Sequence, residues 1–241
     1  MSKAVENCGI GDQLRLTENE IQVWCAKLDI GATALAGLAA HLSGAEKERA
    51  ARFSVAVERD RFIAARGILR ELLGRYLQRA PASLSLETSL RGKPHLSRRS
   101  GALNARFNLS HSHGLALFAF CLGREVGIDV EKIRPEFVRD GIAEQYFSVQ
   151  EREDLLATPT ELRPEAFFRC WTRKEAYLKA RGDGLYVPLE SFAVSLKPNE
   201  PPKLWSADSK NWNLYSLETH AGFVGAAAVE GPPCSLSYHE C

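Results

Sequence analysis

The sequence lacks three features that would assign a chain of this size to a large class of proteins. No apolar run approaches the roughly 20 residues that a membrane helix needs, and residues 1–20 contain no apolar signal-peptide core. The six cysteines include no Cys-x-x-Cys pair, which argues against a zinc site and for a reducing compartment. The phosphate-binding loop Gly-x-x-x-x-Gly-Lys-Ser/Thr is also missing. We therefore expect a cytoplasmic protein without a membrane segment.

Net charge is nearly absent, at +1 over 241 residues, but it is unevenly distributed. Residues 44–75 hold eight Lys/Arg against five acids (+3), and residues 91–106 hold five Lys/Arg and no acid (+5). Residues 125–161 hold ten acids against four bases (−6). This division suits a site that binds phosphates on one side and a cation on the other, although two solvated surfaces would give the same count. Nucleic-acid binding is disfavoured, because the arginines are not interleaved with aromatic residues.

Hydrophobic periodicity predicts a mixed α+β chain. Long helices are expected at 58–78 and 164–181, the second opening with Pro164 and closing at Gly182. Ser43-Gly-Ala-Glu46 fits a capping box that opens a further helix. Other helices are expected at 32–42, 136–146 and 149–156, and strands at 21–28, 84–90, 106–110, 115–122, 126–133, 191–196, 213–217 and 223–229.

Short internal similarities suggest that the chain contains two related halves. Phe53-Ser54-Val55 recurs as Phe147-Ser148-Val149, and Phe62 in the first long helix matches Phe167 in the second, 105 residues later. A duplicated α+β unit would explain both, and ligands often bind between such halves. Chance similarity is the alternative.

The segment from Val126 to Glu131 is the first candidate for chemistry. On a strand, Asp129 and Glu131 face one way while Ile128 and Val130 face the other. Two carboxylates at this spacing, about 7 Å apart at their Cα atoms, can share one divalent cation. Gly127 leaves room for another chain segment or a ligand. The alternative is a solvated acidic face paired with nearby basic residues.

Helical spacing places Trp171, Glu175 and Lys179 on one face of the second long helix. A glutamate beside a cation can bind it or accept a proton from an attacking hydroxyl, and a lysine one turn away can offset phosphate charge. An ordinary surface pair of Glu175 and Lys179 is the alternative.

The basic part of the chain offers Lys93 in the turn Arg91-Gly92-Lys93-Pro94, and Ser110 with His111 at the end of a strand. A hydrolase is disfavoured, because Ser110 lacks the Gly-x-Ser-x-Gly turn and neighbouring side chains diverge on a strand. A histidine near lysine and arginine is better suited to binding a phosphate.

Four segments occur in the order of the signature motifs of the 4′-phosphopantetheinyl transferases. They are Gly92-Lys93-Pro94, Phe107-Asn-Leu-Ser-His-Ser112, Gly127-Ile-Asp-Val-Glu131 and Trp171-Thr-Arg-Lys-Glu-Ala176. Each motif alone is weak, but the combination is specific. The chain length and the Trp…Lys-Glu-Ala form resemble the larger, monomeric, surfactin-synthetase-activating type of this superfamily rather than the short trimeric holo-acyl-carrier-protein synthases.

The resemblance implies an α+β pseudo-dimer of two similar halves, each a small, mostly antiparallel sheet packed against a long helix. Residues 1–123 would bind the phosphates of coenzyme A, and residues 124–241 would carry the magnesium and catalytic carboxylates. It also implies Mg²⁺-dependent transfer of 4′-phosphopantetheine from coenzyme A to a serine of an apo acyl or peptidyl carrier protein, with release of 3′,5′-ADP. The enzyme would be a cytoplasmic monomer without nucleic-acid or membrane partners.

The resemblance also assigns roles to residues of this chain. Asp129, Glu131 and Glu175 match the Mg²⁺ ligands, and Glu175 is in addition the candidate base for the carrier serine. Lys179 matches the lysine beside the phosphates, so that Glu175, Lys179 and Asp129 form the catalytic set. The residues expected to bind coenzyme A are Arg61, Lys93, Ser110, His111 and Lys179, and among them Arg61 and His111 match residues that contact its 3′-phosphate.

One segment departs from the family pattern. Glu46 takes the place of a lysine that contacts coenzyme A in some members, which leaves Lys47 and Arg49 as possible substitutes. The carrier-binding surface is expected within residues 135–150, which match no fixed motif. Two other functions fit the same residues: another Mg²⁺-dependent phosphoryl enzyme, such as a nucleotidyl transferase or phosphatase, and a partner-binding protein without activity. The intact acidic triad argues against the second, and the class of carrier stays open.

Overall fold

A computed structural model of the chain describes residues 14–89, 92–97, 104–136, 141–182 and 187–241. No helix in these ranges is both long and apolar enough to cross a bilayer. The elements of the first half are β1 (Glu20–Lys27), α1 (Ala32–Ala40), α2 (Gly44–Ala51), α3 (Ala56–Leu77), β2 (Leu86–Thr88), β3 (Pro94–Leu96), β4 (Ala105–Ser112) and β5 (Leu115–Leu122). Those that follow are β6 (Val126–Lys132), α4 (Ile142–Tyr146), α5 (Val149–Ala157), α6 (Arg163–Arg181), β7 (Ala193–Val194), β8 (Leu204–Trp205), β9 (Trp212–Leu217), β10 (Phe223–Glu230) and β11 (Ser235–Glu240).

Local sequence signals set the helix ends where the sequence predicted them. The Ser43 hydroxyl accepts a hydrogen bond from the backbone N–H of Glu46, whose carboxylate accepts from the N–H of Ser43, so the predicted capping box is confirmed. Helix α6 has Pro164 in its first turn and ends at Gly182, which adopts φ +71°. Helix α3 ends at Leu77, and its C-cap residue Gln78 also adopts the left-handed region, with φ +54°.

The first sheet has the strand order β11–β1–β5–β4, antiparallel except for the parallel pair β1 and β11. Its face toward α3 carries large apolar side chains, among them Trp24 and Phe118, which lie directly opposite each other on β1 and β5. The indole N–H of Trp24 donates to the hydroxyl of Tyr76 on α3 at 2.8 Å. This bond satisfies the polar group of a fully buried side chain and joins the helix to the sheet.

The second sheet has the order β6–β10–β9 and is antiparallel throughout. Helix α6 covers one of its faces, where Phe167 and Tyr177 pack against Ala226 and Ala228 of β10. The other faces of the two sheets pack on each other in a common apolar layer that includes Val23 and Leu117 of the first sheet, with Ile128, Val130 and Ala227 of the second. The layers therefore run helix, sheet, sheet, helix, and the fold is α+β as the sequence predicted.

Each half contains an equivalent ion pair between a capping-box glutamate and a buried cation of the long helix. The capping-box glutamate Glu46 accepts a hydrogen bond from Arg70 in α3 at 2.7 Å, and the capping-box glutamate Glu151 pairs with Lys174 in α6 at 2.8 Å. The two glutamates are 105 residues apart and the two cations are 104 residues apart. A shared ion pair at matching places supports two related α+β halves more strongly than the short similarities in sequence do.

Some sequence expectations need correction. Strand β11 was not expected, and it lies in the first sheet although it ends the second half. Strand β3 was also missed, and the strand expected at 191–196 is reduced to the two residues of β7. Of the helix expected at 136–146, the structure shows Ile142–Tyr146, while residues 137–140 lie outside the described residues.

Candidate functional site

Strand β6 packs directly against α6 because Gly127 has no side chain. A Cβ atom at Gly127 would lie 2.1 Å from the carbonyl oxygen of Ala176 and 2.3 Å from the backbone nitrogen of Ala180. Alternate residues of a strand face the same way, so Asp129 and Glu131 also point toward the helix. The close approach expected at Gly127 is therefore made by a helix of the same chain, and it brings both carboxylates to the last turns of α6.

Asp129 is buried, with 3% of its surface exposed, and lies between the two halves. Its Oδ1 atom accepts hydrogen bonds from Nζ of Lys179 at 2.6 Å and from the hydroxyl of Ser110 at 2.8 Å. Its Oδ2 atom is buried and has no hydrogen-bond partner in the part of the chain that the structure describes. The alternative of a solvated acidic strand face is therefore wrong for Asp129. Lys179 forms its ion pair with Asp129 on β6 and not along its own helix.

Glu131 and Glu175 bring further negative charge to the same place. Burial raises the pKa of both carboxyl groups, and the charge of Asp129 raises them further. Lys179 acts in the opposite direction on both, and the Ser112 hydroxyl, which donates to Glu131 at 2.7 Å, helps to hold that group ionised. Three carboxylates therefore lie close enough to repel one another, and the charge of Lys179 acts on all three. Their mutual repulsion favours the binding of a further positive charge.

Lys179 stays charged in this setting. Burial opposes its charge, but Asp129 outweighs this through its charge and its hydrogen bond, and Glu175 and Glu131 add to the effect, so that the pKa of Lys179 is raised. Its Nζ atom also donates to the hydroxyl of Ser110 at 3.0 Å. The ammonium group is thus fixed at the junction of β4, β6 and α6.

A row of short polar side chains joins the two halves next to the carboxylates. Asn108, Ser110 and Ser112 alternate along β4, are all buried, and point toward β6. Oδ1 of Asn108 accepts from the backbone N–H of Ile128 at 2.9 Å, and the Ser112 hydroxyl accepts from that of Lys132 at 3.2 Å. The sequence assigned a role to Ser110 alone, although the alternation of three polar residues on one strand was a signal for the other two.

His111 points to the opposite side of β4, toward α3. Desolvation by surrounding atoms lowers the pKa of His111, and the positive charges of Lys179, Arg66 and Arg61 lower it further, while Glu58 opposes them. The imidazole is therefore neutral at pH 7 in the absence of an anion. Because Ser110 faces the carboxylates and His111 faces α3, the two cannot act as a hydrolase pair.

Arg61, expected to bind phosphate, is held by two carboxylates. Its Nε atom lies 2.7 Å from Oδ1 of Asp29 and its Nη2 atom 3.0 Å from Oδ2, while Nη1 lies 3.0 Å from Glu58. Gly114, with φ +80°, makes room for Asp29, because a Cβ atom there would lie 2.4 Å from the Asp29 carboxylate. The structure therefore places Arg61 near His111 but in an ion-paired state.

Lys93 lies apart from the carboxylate cluster, beyond the end of α6. Its Nζ atom donates to Glu125 at 2.8 Å and to the carbonyl oxygen of Ala180 at 3.0 Å. It lines a cavity of about 370 Å³ together with Arg106 and Arg181, among others. Three members of the basic segment 91–106, at positions 91, 98 and 99, lie outside the described residues.

The predicted site residues thus fall into one cluster and two neighbouring groups. Asp129, Glu131, Glu175, Lys179 and Ser110 lie together. His111 and Arg61 form a group on the side of α3, and Lys93 lies in the cavity at the end of α6.

The cluster fits a hard divalent cation in its chemistry, although its side chains are not drawn together around one point. In the described ranges, no three His, Cys, Asp or Glu side chains are arranged as a closed metal site. However, all three acidic side chains offer carboxylate oxygens, the ligands that Mg²⁺ and Ca²⁺ prefer. Among the described residues, Oδ2 of Asp129 is buried and lacks a donor, and burial, reinforced by the charge of Asp129, raises the pKa of Glu131 and of Glu175. A cation would relieve both conditions.

Comparison with known proteins identifies the family to which the chain is similar in sequence. Residues 125–228 match the family model of the 4′-phosphopantetheinyl transferase superfamily (ACPS), and residues 32–121 match that of the 4′-phosphopantetheinyl transferase N-terminal region. The chain is 43% identical over 218 residues to the 4′-phosphopantetheinyl transferase HetI of Nostoc sp., covering 90% of this chain and 91% of that protein. It is 32% identical over 192 residues to the 4′-phosphopantetheinyl transferase Sfp of Bacillus subtilis, covering 79% and 83%.

Among solved structures, a holo-(acyl-carrier-protein) synthase from Bacillus anthracis in complex with CoA (3′,5′-ADP) covers 45% of this chain and 96% of its own, with a TM-score of 0.38 and 24% identity. The family assignment depends instead on the matches in sequence, which extend through both halves. Identity of 43% over nine tenths of the chain, together with family matches in each half, shows that the chain belongs to the 4′-phosphopantetheinyl transferase superfamily.

Proposed function

We propose that this protein transfers the 4′-phosphopantetheine group of coenzyme A to a serine of an apo acyl or peptidyl carrier protein, releasing 3′,5′-ADP. The observation that carries the proposal is the cluster of Asp129, Glu131, Glu175 and Lys179 at the junction of the two halves, in a chain that belongs to this superfamily. Three carboxylates and one lysine provide what transfer at a diphosphate requires: a place for a cation, a proton acceptor and a fixed positive charge.

Asp129, Glu131 and Glu175 are the residues that would hold Mg²⁺. A bound Mg²⁺ would supply positive charge to offset the charge that develops on the diphosphate. Lys179 contributes a second positive charge from its fixed position beside Asp129. The preference for Mg²⁺ over other divalent ions belongs to the proposal.

Glu175 is the proposed base. In the metal-free protein, burial and the charge of Asp129 raise the pKa of Glu175, so its carboxylate accepts a proton more readily than that of an ordinary glutamate. In the proposed reaction the hydroxyl proton of the carrier serine moves to a carboxylate oxygen of Glu175. The serine oxygen forms its bond to the β-phosphorus of coenzyme A, and the bond from that phosphorus to the bridging oxygen breaks, so that 3′,5′-ADP leaves.

Lys93, Arg61, Ser110, His111 and Lys179 are proposed to bind the phosphates of coenzyme A. Ser110 and Lys179 lie within the carboxylate cluster, whereas Lys93 lies at the end of α6 and His111 with Arg61 lies on the side of α3. The ion pairs of Arg61 with Asp29 and Glu58 would then be exchanged, in part, for a phosphate. The proposed division of labour assigns residues 1–123 mainly to phosphate binding and residues 124–241 to the cation and the proton.

We also propose that the protein acts as a monomer in the cytoplasm. Ser110 from the first half and Asp129 with Lys179 from the second meet within a single chain, so that a second copy is not needed to complete the cluster. The cysteines in the described part of the chain are free, which suits a reducing compartment.

Mass spectrometry of the carrier tests the proposed reaction. The protein is incubated with coenzyme A, Mg²⁺ and apo carriers of the fatty-acid, polyketide and peptide classes. We expect a phosphopantetheine adduct on at least one carrier and none on the same carrier with its acceptor serine replaced by alanine. The absence of an adduct on every carrier would sink the proposal. Asp129→Ala and Glu175→Ala are each expected to abolish the adduct, with circular dichroism to check the fold.

A further inference from the structure

A second cavity, of about 500 Å³, lies in the second half of the chain. Its lining includes Glu165, Arg169 and Arg173 on successive turns of α6, and residues on both sides of the turn that joins β9 to β10. Residues two apart on a helix point about 200° apart, so Arg173 and Glu175 project to opposite sides of α6. The helix therefore separates this cavity, here called the β9 cavity, from Glu175 and Lys179.

Arg173 is a buried cation whose hydrogen bonds all go to neutral acceptors. Only 1% of its surface is exposed. Its Nη1 atom donates to the carbonyl oxygen of Ser195 at 2.6 Å and to the hydroxyl of Ser195 at 2.8 Å, and Nη2 donates to the hydroxyl of Ser216 at 2.9 Å. Nε is buried and has no hydrogen-bond partner among the described residues, and no carboxylate of those residues forms an ion pair with Arg173.

The donors that remain on Arg173 lie on one edge of its guanidinium. Nε and Nη2 share the edge that binds carboxylates and phosphates through two parallel hydrogen bonds. In the described part of the chain nothing accepts from Nε, and Ser216 takes one of the two N–H groups of Nη2. A buried charge without an anion is unfavourable, as is a buried donor without an acceptor. An anion at this edge would satisfy both.

The other charged side chains of the β9 cavity have unequal effects on an anion. Arg169 donates to the carbonyl oxygen of Leu196 at 2.8 Å and pairs with the half-exposed Glu165. Glu200 also lines the cavity, and its charge acts on Arg173 in the opposite direction to that of Arg169. Glu200 therefore competes with an incoming anion for the charge of Arg173, while Arg169 attracts the anion.

The first half has a cleft at the equivalent place. Arg61 and His111 lie between α3 and the turn from β4 to β5, and Arg173 lies between α6 and the turn from β9 to β10. Duplication of one α+β unit would produce a cleft in each half at this place. The two clefts now differ in charge, because Arg61 is paired with carboxylates and Arg173 is not, within the described residues.

We propose that the β9 cavity is a second ligand site, which binds a small anion through a carboxylate or phosphate group. The Nε–Nη2 edge of Arg173 donates to two oxygens of this group, and the Ser216 hydroxyl can turn its own proton toward the same group. Because Arg173 is 1% exposed, the ligand is a small molecule that enters the cavity and not a flat protein surface. The site takes no part in the proposed transfer reaction.

NMR of the whole protein tests the contact at the atom concerned. Sodium phosphate and sodium acetate are titrated separately at constant ionic strength, and the Nε–Hε resonance of Arg173 is followed. We expect a saturable shift with at least one of them: phosphate alone would assign a phosphate ligand, and acetate alone a carboxylate. Arg163 on the same helix is the internal control, because its Nε atom already donates to the carbonyl oxygen of Thr158 at 2.9 Å. An Arg173 resonance that moves with neither anion, or only as much as that of Arg163, would overturn the proposal.

Two variants should change the affinity for the bound anion in opposite directions, followed at the backbone amide of Ser216. Arg173→Gln should weaken binding by about tenfold or more, as for a lost charge-assisted hydrogen bond. Glu200→Gln removes a competing charge and should tighten binding by about twofold to tenfold. Arg152→Gln is the matched control, because Arg152 lies on α5 of the same half and makes one hydrogen bond of 3.4 Å, to the carbonyl oxygen of Glu144. It should leave the affinity unchanged.

The two variants also protect the test against a loss of folding. If Arg173→Gln does not fold, Glu200→Gln still decides, because it leaves Arg173 in place. Unchanged or weaker binding in Glu200→Gln would contradict the proposed contact, as would wild-type affinity in a folded Arg173→Gln protein. Each of these results would leave the proposed transfer reaction standing, because neither residue belongs to the carboxylate cluster.

Discussion

Glu175 lies among like charges, and its protonation therefore affects reactivity and stability in opposite directions. Burial and the charge of Asp129 raise its pKa in the folded protein. A carboxyl group whose pKa is higher in the folded state than in the unfolded state destabilises the fold as pH rises between those two values. We expect Glu175→Gln to raise Tm by a few degrees at pH 7 and to lower kcat by about 10²- to 10⁴-fold, as for loss of a general base. Calorimetry and the carrier assay measure the two effects.

The pH profile distinguishes a base from a residue with a structural role. The wild-type kcat, measured at saturating Mg²⁺, should fall with decreasing pH as the Glu175 carboxylate becomes protonated. Glu165→Gln on the same helix is the control, because Glu165 is largely exposed and pairs with Arg169. It should leave both kcat and its pH dependence unchanged. A Glu175→Gln enzyme with wild-type kcat would remove Glu175 from the mechanism.

Lys174, the neighbour of Glu175, has a purely structural position. Its Nζ atom is fully buried and binds Glu151 at 2.8 Å and the carbonyl oxygens of Leu189 and Phe192 at 2.7 Å each. Removal of the lysine leaves Glu151 as a buried charge without its partner. We expect Lys174→Met to destabilise the fold by about 3–5 kcal/mol in denaturant unfolding.

The double variant Glu151→Gln/Lys174→Met separates the cost of the unpaired charge from the cost of the lost hydrogen bonds. It removes both charges, so it should be more stable than Lys174→Met alone, although the carboxylate contacts to Ser148 and Val194 are altered. A double variant that is less stable than either single variant would show that hydrogen bonding, and not the unpaired charge, dominates at this site.

At the scale of elements, the spacing of β6 and α6 determines the geometry of the cluster. A methyl group at Gly127 would meet the backbone of Ala176 and Ala180, which cannot move without displacing the helix. Since Asp129 and Lys179 lie on these two elements, their ion pair would lengthen as well. We expect Gly127→Ala to destabilise the fold by roughly 1–3 kcal/mol, as overpacking does, and to reduce transfer strongly.

Gly37→Ala provides the matched control for this prediction. Gly37 lies within α1, and nothing occupies the space that its Cβ atom would take. It should stabilise the protein by roughly 0.5–1 kcal/mol through helix propensity and leave transfer unchanged. Gly127→Ala with wild-type stability and activity would show that the close contact of β6 with α6 is not required.

At the scale of the whole molecule, local signals predicted the helix ends and the facing of strand residues, but not the pairing of distant strands. The ends of α6 follow from Pro164 and Gly182, and the opposite facing of Ile128 and Asp129 follows from alternation on one strand. Each of these depends on a few neighbouring residues. The pairing of β11 with β1 does not, because it joins opposite ends of the chain, and its short sequence carries no mark of its partner.

The charged residues of the site could be predicted from the sequence, but the residues that hold them could not. Family motifs identified the charged residues, and the structure brings Asp129 next to Lys179. The partners that hold them were missed, because Ser112 and Asp29 become meaningful only when distant elements meet. The position of Arg66 over Phe62 is likewise a product of packing rather than of any local pattern.

The meeting of both halves in one chain leads to a last prediction, on oligomeric state. Ser110 of the first half bonds to Asp129 and Lys179 of the second, so each molecule contains a complete cluster. Transfer per molecule should therefore stay constant over a roughly hundredfold dilution at saturating coenzyme A and carrier, since no association equilibrium is involved. Analytical ultracentrifugation over the same range should give the mass of one chain, 26.7 kDa. Specific activity that falls on dilution together with a loss of mass would show instead that a second copy completes the site.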